Sequence, residues 1–159
     1  MKRILVTGMS GTGKSTVLAE LARRGHRVID TDRDGWAEEV ALADGSGWEQ
    51  RWREDPMSTL LAQDGEGPLF VSGCASNQGK FYDRFDAVVL LTAARNVLIE
   101  RLETRTTNPF GKDPAERDRI LADLATVEPR IRRSATTVIS TEGPLHEIVD
   151  AVEALARRQ

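Results

Sequence analysis

At 159 residues the chain is long enough to bury a real core, and one domain over residues 1–159, built around one ligand cleft, is expected. Its 22 Lys and Arg stand against 25 Asp and Glu, a net charge of -3 with no long basic run, which argues against nucleic acid as a partner; no apolar run approaches the roughly 20 residues of a membrane span. Cys74 is the one cysteine and His26 and His146 lie far apart, so neither an internal disulfide nor zinc spacing is available, and a cytoplasmic monomer or homodimer is expected.

The first element in chain order is a short apolar run, Ile4–Thr7, which reads as a strand and leads into Gly8-Met9-Ser10-Gly11-Thr12-Gly13-Lys14-Ser15-Thr16. Gly8, Gly13, Lys14 and Ser15 satisfy the pattern Gly-x-x-x-x-Gly-Lys-Ser/Thr, and the Val17, Leu18 and Leu21 stripe supplies the helix this pattern requires after its strand. Glycines in such a loop let successive N–H groups turn inward on a polyphosphate at a helix N-terminus, where the dipole also favours negative charge. Lys14 is then placed for the β- and γ-phosphates and Ser15 for Mg2+. The ATP-holding set is Gly8, Ser10, Gly11, Thr12, Gly13, Lys14, Ser15 and Thr16.

A second strand, Arg27–Ile29, ends in Asp30-Thr31-Asp32, where alternation puts the two carboxylates on one face and Thr31 on the other, at the sheet edge that binds ligands. Trp48 and Trp52 then fall at helical spacing and read as core anchors. After the turn Asp64–Pro68, the third strand, Leu69–Val71, opens into Ser72–Gly79, where Cys74 reads as a pocket wall because no base accompanies it. The fourth strand, Ala87–Leu91, precedes a helix with Leu98 and Leu102 inside and with Arg101 and Arg105, four apart, on one face. Thr106–Pro114 is too long and polar for a turn; with Gly111 and two prolines it suits a hinged lid, bounded within 104–116. Ile120, Leu124, Val127 and Ile131 form the stripe of the next helix, with Arg130, Arg132 and Arg133 near its end. A fifth strand, Thr137–Ile139, the loop Ser140–Pro144 and a last helix with Leu145, Ile148, Val149, Val152 and Leu155 inside complete a parallel α/β pattern.

With its phosphate-binding loop, this layout resembles, over nearly the whole chain, the P-loop kinases of the nucleoside-monophosphate-kinase and shikimate-kinase-like group. The resemblance implies a P-loop NTPase fold, a five-stranded parallel sheet in the order 2-3-1-4-5 flanked by helices, with a short lid and with ATP and Mg2+ as cofactors. Asp30-Thr31-Asp32 resembles the Asp-Ser-Asp element of shikimate kinases, which assigns Asp30, with Ser15, to the metal and Asp32 to the acceptor's hydroxyl. Trp52-Arg53 resembles their Phe-Arg pair and makes Arg53 an acceptor contact, in an acceptor-binding region within 32–63; Gly73 is what remains of their triple glycine. The Arg101 and Arg105 spacing resembles the lid entrance of adenylate kinases, implying an adenine plate and a ligand of the transferring phosphate, and Arg130, Arg132 and Arg133 stand where the post-lid helix contributes an acceptor or phosphate arginine, with Arg130 carried as the acceptor-side candidate among the three. Two departures matter: the Gly-aromatic-Pro-Arg element of nucleoside monophosphate kinases is missing after the third strand, and the lid lacks the arginine-proline-leucine-leucine run of shikimate kinases, leaving Lys112 as a candidate second cation.

The expected function is ATP- and Mg2+-dependent phosphotransfer to a hydroxyl of a small metabolite, anionic if Arg53 grips it, with Lys14, Asp32 and Arg105 catalytic. A nucleoside or nucleotide kinase is the alternative on the same fold, and a nucleotide-binding regulatory ATPase module is the alternative of another class.

Overall fold

In the computed structural model, which describes residues 1–105 and 112–158, the chain runs through β1 (Arg3–Thr7), α1 (Lys14–Arg23), β2 (Arg27–Asp30), β3 (Ala37–Ala41), β4 (Trp48–Trp52), α2 (Glu54–Ala62) and β5 (Leu69–Ser72). A 3-10 turn at Gln78–Arg84 leads to β6 (Ala87–Thr92), α3 (Arg95–Thr104), α4 (Pro114–Thr126), α5 (Glu128–Ser134), β7 (Thr137–Ser140) and α6 (Leu145–Leu155). The lid residues 106–111, Gly111 among them, lie outside the described residues.

The main sheet has five parallel strands in the order β2-β5-β1-β6-β7. Numbered within that sheet the order is 2-3-1-4-5, as expected. β1, β5 and β6 are apolar without interruption because both faces of the sheet are covered. Ile4, Val6, Val89 and Leu91 pack on Val17, Leu18 and Leu21 of α1 and on Ile148, Val149, Val152 and Leu155 of α6. Leu5, Val71 and Val88, pointing the other way by strand alternation, pack on Trp52, Met57, Leu60, Leu61, Phe81 and Phe85. Because all five strands run the same way, the segments after β1, β2 and β5 gather at one edge.

The segment around the tryptophans corrects an expectation. Trp48 and Trp52 lie on a strand, not a helix: β3 and β4 form an antiparallel hairpin pairing Ala37 with Trp52, Glu39 with Gln50 and Ala41 with Trp48. Residues four apart share a face in either structure, so the spacing alone did not discriminate. Trp52 is the core anchor, 1% exposed, whereas Trp48 is 57% exposed. The hairpin is pinned to the body by Trp52, whose N–H donates to Asn77 Oδ1 (2.8 Å), whose carbonyl accepts from Asn77 Nδ2 (2.9 Å), and whose indole donates to Thr31 Oγ1 (3.0 Å).

The stripe from Ile120 to Ile131 is likewise shared by two helices. Pro129 carries no N–H to continue the ladder, and the helix breaks at Val127. Arg119 Nη2 donates to Trp48 O (2.7 Å) and Arg117 pairs with Glu103 (3.1 Å), so α4 is tied to both the hairpin and α3. Among the described residues no helix is long and apolar enough to cross a membrane.

Candidate active site

The loop from Gly8 to Gly13 joins β1 to α1, and its glycines are required by geometry. At Gly8 (φ 152°) a Cβ would lie 2.6 Å from Leu91 O, and Gly13 (φ 102°) supplies the left-handed residue that starts α1, with nothing within 4 Å of its Cβ position. Thr12 departs from its expected role. It is buried, and both its N–H and its hydroxyl point back at Met9 O (3.2 and 2.7 Å), so it braces the loop instead of facing a ligand. Gly11 and Ser10 are partly buried, while Ser15 and Thr16 are exposed on the first turn of α1.

Lys14 folds over this loop, donating from Nζ to Gly8 O (2.6 Å) and Met9 O (3.1 Å). Burial pushes its pKa down; Cys74, Asp32 and Asp30 pull it back up, and Arg105 pushes it down further. Groups from the ends of β2 and β5 and from the end of α3 therefore share the field of one ammonium. That ammonium rests on neutral carbonyls, with no carboxylate at ion-pair distance among the described residues. A partly buried cation beside an open glycine backbone fits a polyphosphate.

β2 ends at Asp30, and the chain turns over Asp30–Arg33, with Arg33 N donating to Asp30 O (3.1 Å), where the alternation reading assumed an extended strand. Asp32 N donates to Asp30 Oδ1 (3.0 Å), and Arg33 Nε lies 3.6 Å from Asp30 Oδ2. Thr31 between them is fully buried, its hydroxyl donating to Ser72 O (2.8 Å) and accepting from Trp52. Ser15 and Asp30 offer the hard oxygen donors that Mg2+ takes. Asp32 is exposed, and its Oδ1 accepts from Gln50 Nε2 (2.9 Å). Gln50 escaped the sequence reading because an amide carries no charge; the alternation Trp48-x-Gln50-x-Trp52, read as a strand, would have placed it on the face turned to Thr31 and Asp32.

Gly73 has a packing reason to be glycine. It is buried at φ 155°, and a Cβ there would collide with the Thr31 side chain. Beside it the Cys74 thiol is pushed up by burial, while Lys14 and a hydrogen bond with Thr7 pull it down, and it packs with Met9, Leu90 and Ile131 as a wall residue. Asp123 of α4 also acts on Cys74 electrostatically, and burial pushes its own carboxyl up against the pull of Arg119.

The arginines divide. Arg101 donates to Gly11 O (3.2 Å) and Thr12 O (3.4 Å) on the phosphate loop and to Thr141 Oγ1 (2.9 Å) and Thr141 O (2.7 Å) after β7, bracing the two loops against each other. Arg105 caps the end of α3, its pKa lowered by burial against the pull of Glu116. Arg53 does not join Asp32: it pairs with Glu38 (3.3 Å), which faces the same way as its cross-strand neighbour Arg51, whereas Gln50 and Asp32 meet on the other face of the hairpin. Arg130 is exposed on α5 and Arg132 pairs with Glu128 (3.7 Å); Lys112 is exposed. A surface depression of about 430 Å3 bounded by Glu49, Arg51, Ser76, Asn77, Gly79 and Lys80 includes no residue of the phosphate loop or of Asp30–Asp32.

A glycine loop carrying a partly buried lysine, at the carboxyl edge of a parallel sheet in this strand order, defines a P-loop nucleotide-binding protein. The chain belongs to the family described as "AAA domain", which matches residues 4–122. No curated protein matches it in sequence. Among solved structures it is similar to a shikimate kinase from Bacteroides thetaiotaomicron (TM-score 0.63, 19% identity, 99% of each chain covered). It is similar also to a shikimate kinase from Acinetobacter baumannii in complex with shikimate (TM-score 0.60, 19% identity, 99% of this chain and 89% of that one). A third is a gluconokinase from Sinorhizobium meliloti 1021 (TM-score 0.54, 22% identity, 98% of this chain and 92% of that one). At these identities the likeness is one of fold.

Proposed function

We propose that the chain is an ATP-dependent phosphotransferase acting on a hydroxyl of a small molecule. One observation carries this reading: the parallel order β2-β5-β1 brings Asp32, an exposed carboxylate held by Gln50, to the same sheet edge as the partly buried Lys14 ammonium on the phosphate loop. A cation for the phosphates and a base for the attacking hydroxyl thus stand at one place. A protein that only hydrolyses ATP has no need of the second. Structural neighbours that act on small hydroxylated molecules, a gluconokinase and shikimate kinases, support it.

Lys14 and Arg105 neutralise the charge of the transferring group, which in phosphoryl transfer supplies most of the catalysis. Asp32 takes the hydroxyl proton as the acceptor oxygen bonds to the γ-phosphorus and the bond to the departing ADP oxygen breaks. Gln50, donating to one oxygen of Asp32, orients the other. Ser15 and Asp30 hold Mg2+, which when bound supplies Lewis-acid charge neutralisation to the phosphates. Arg101, held between the phosphate loop and Thr141, would border the base side of the nucleotide, and the lid within 104–116 would exclude water. Release of ADP and formation of a phosphorylated product are measured across a panel of hydroxylated compounds. Stimulation by one of them, lost in Asp32→Asn, is the expected result; ATP turnover indifferent to every acceptor and to Asp32 would favour the regulatory ATPase.

A further inference from the structure

Two adjacent amides, Asn77 and Gln78, stand where the segment after β5 enters the 3-10 turn, and both are buried, 6% and 3% exposed. They reach to opposite sides. Asn77 grips the hairpin: its Oδ1 accepts from Trp52 N–H (2.8 Å) and its Nδ2 donates to Trp52 O (2.9 Å). Gln78 grips the strand that enters the phosphate loop: its Nε2 donates to Thr7 Oγ1 (3.1 Å) and to Tyr82 OH (2.8 Å), while its Oε1 accepts from Ala75 N–H (2.9 Å). Thr7 is fully buried and immediately precedes Gly8. Trp52 in turn holds Thr31 through its indole, and Gln50 on the same strand holds Asp32.

Transfer depends on the position these bonds fix. In-line displacement needs the attacking oxygen within about 3–3.5 Å of phosphorus, and a misplacement of about 1 Å costs roughly 10²-fold in rate. Asp32 follows β2 but takes its orientation from Gln50, on a hairpin that shares no strand pairing with the main sheet. The distance of that hairpin from the phosphate loop is therefore set by side-chain bonds. Two neutral amides make them without adding charge beside Lys14 and Asp32. Each amide has one orientation, because Trp52 N–H and Ala75 N–H only donate and Trp52 O only accepts.

We infer that Asn77 and Gln78 are positioning residues for the transfer: as one clasp they set the separation between the Asp32 side of the cleft and the phosphate loop, and so align the acceptor's hydroxyl with the γ-phosphate. This rests on the phosphotransferase reading above, and it assigns neither amide a contact with ATP or with the acceptor.

The phosphate loop keeps bonds of its own, from Thr12 and Lys14 to Met9 O and from Arg101 to Gly11 O, so loosening the clasp separates ATP binding from transfer. Full-chain Gln78→Leu, Gln78→Glu and Asn77→Asp are compared with wild type by calorimetry with Mg2+-ATP and by single-turnover transfer to the acceptor that the hydroxylated panel yields. Gln78→Leu removes all three bonds of its side chain; it is expected to slow transfer at saturating acceptor at least about tenfold while ATP affinity moves less than about threefold. Gln78→Glu still accepts from Ala75 N–H, and the Thr7 and Tyr82 hydroxyls can turn to donate to it, so most of the rate returns. Asn77→Asp has no such rescue, because Trp52 O cannot donate, and it is expected to match Gln78→Leu. Thr7→Val cuts the same link from its other end and carries the test should Gln78→Leu not fold. Transfer within threefold of wild type in these variants, or ATP affinity falling in step with the rate, overturns the positioning role and leaves the kinase standing. Wild-type turnover that no acceptor stimulates overturns both.

Discussion

Lys14→Met separates what the phosphate loop does for the fold from what it does for ATP. In the structure the ammonium makes two charge-assisted bonds, to Gly8 O at 2.6 Å and Met9 O at 3.1 Å. Bonds of this kind contribute about 1.5–3 kcal/mol each, while the burial that depresses the lysine pKa opposes them with a desolvation cost of several kcal/mol. Methionine keeps most of the side-chain length and removes both terms, so the net change in stability is within about 2 kcal/mol, or a shift of under about 8 °C for a chain of this size. The pH dependence has a sign as well. The folded pKa lies below 10.5, so between the two values the unfolded chain holds a proton the folded one lacks, and wild-type stability rises with pH up to about 10.5. The substitution removes that slope. Transfer, by contrast, loses a cation facing the migrating group, a loss of about 10³-fold, or about 4 kcal/mol. Melting curves from pH 7 to 10.5 and single-turnover transfer are the assays. A fall in melting temperature beyond about 15 °C would make Lys14 a structural residue, and transfer within tenfold of wild type would remove it from the chemistry.

Arg105→Ala is expected to slow single-turnover transfer by about 10³-fold or more while ATP affinity moves less than about threefold, because a lid arginine acts on the transition state; a rate within threefold returns it to the helix surface. Asp32→Asn should depress acceptor-dependent turnover by roughly 10² to 10⁴ with nucleotide affinity kept, whereas Asp30→Asn should raise the Mg2+ requirement, and calorimetry showing that Asp32→Asn loses ATP would sink the division. Gln50→Leu leaves Asp32 in place but unoriented, and a fall of about tenfold in kcat is expected for one lost bond to a charged group; no change in kcat would show that Asp32 needs no support. Glu153, bonded to His26 Nε2 at 2.7 Å, is held below the usual carboxylate range chiefly by that bond. Its contribution is present above about pH 4.5 and is lost as pH falls through its lower folded value, so the urea-melt gap between wild type and Glu153→Gln should close in acid. A gap at pH 3 equal to that at pH 7 would contradict this.

Where local physics decides, the sequence was readable. Doubly covered parallel strands are apolar in their middles, and the phosphate loop needs glycine at positions no other residue tolerates, so strands and loop follow from Ile4–Ser15 and its successors, whereas the strand order came from the resemblance to P-loop kinases. Thr31 turns inward between Asp30 and Asp32 as alternation implied, although the backbone there is a turn and not extended strand. The β3–β4 hairpin did not, because it is thin and polar: only Trp52 is buried, Glu39, Gln50 and Arg51 dilute the alternation, and residues four apart satisfy helix and strand equally. Arg53 failed for a different reason. A matching distance in sequence does not fix which side of a strand a residue takes, and one residue of phase turned it to Glu38.

The hairpin of residues 37–52 shares no strand pairing with the main sheet. It hangs on Thr31 and Asn77 through Trp52, on Asp32 and Ser76 through Gln50, and on Arg119 through Trp48 O. Provided Trp52 is kept, Trp48 and the outer half of the hairpin are free to drift without loosening the phosphate loop, since they brace none of its bonds. Exposed positions of the hairpin can therefore be exchanged without touching any bond of the phosphate loop.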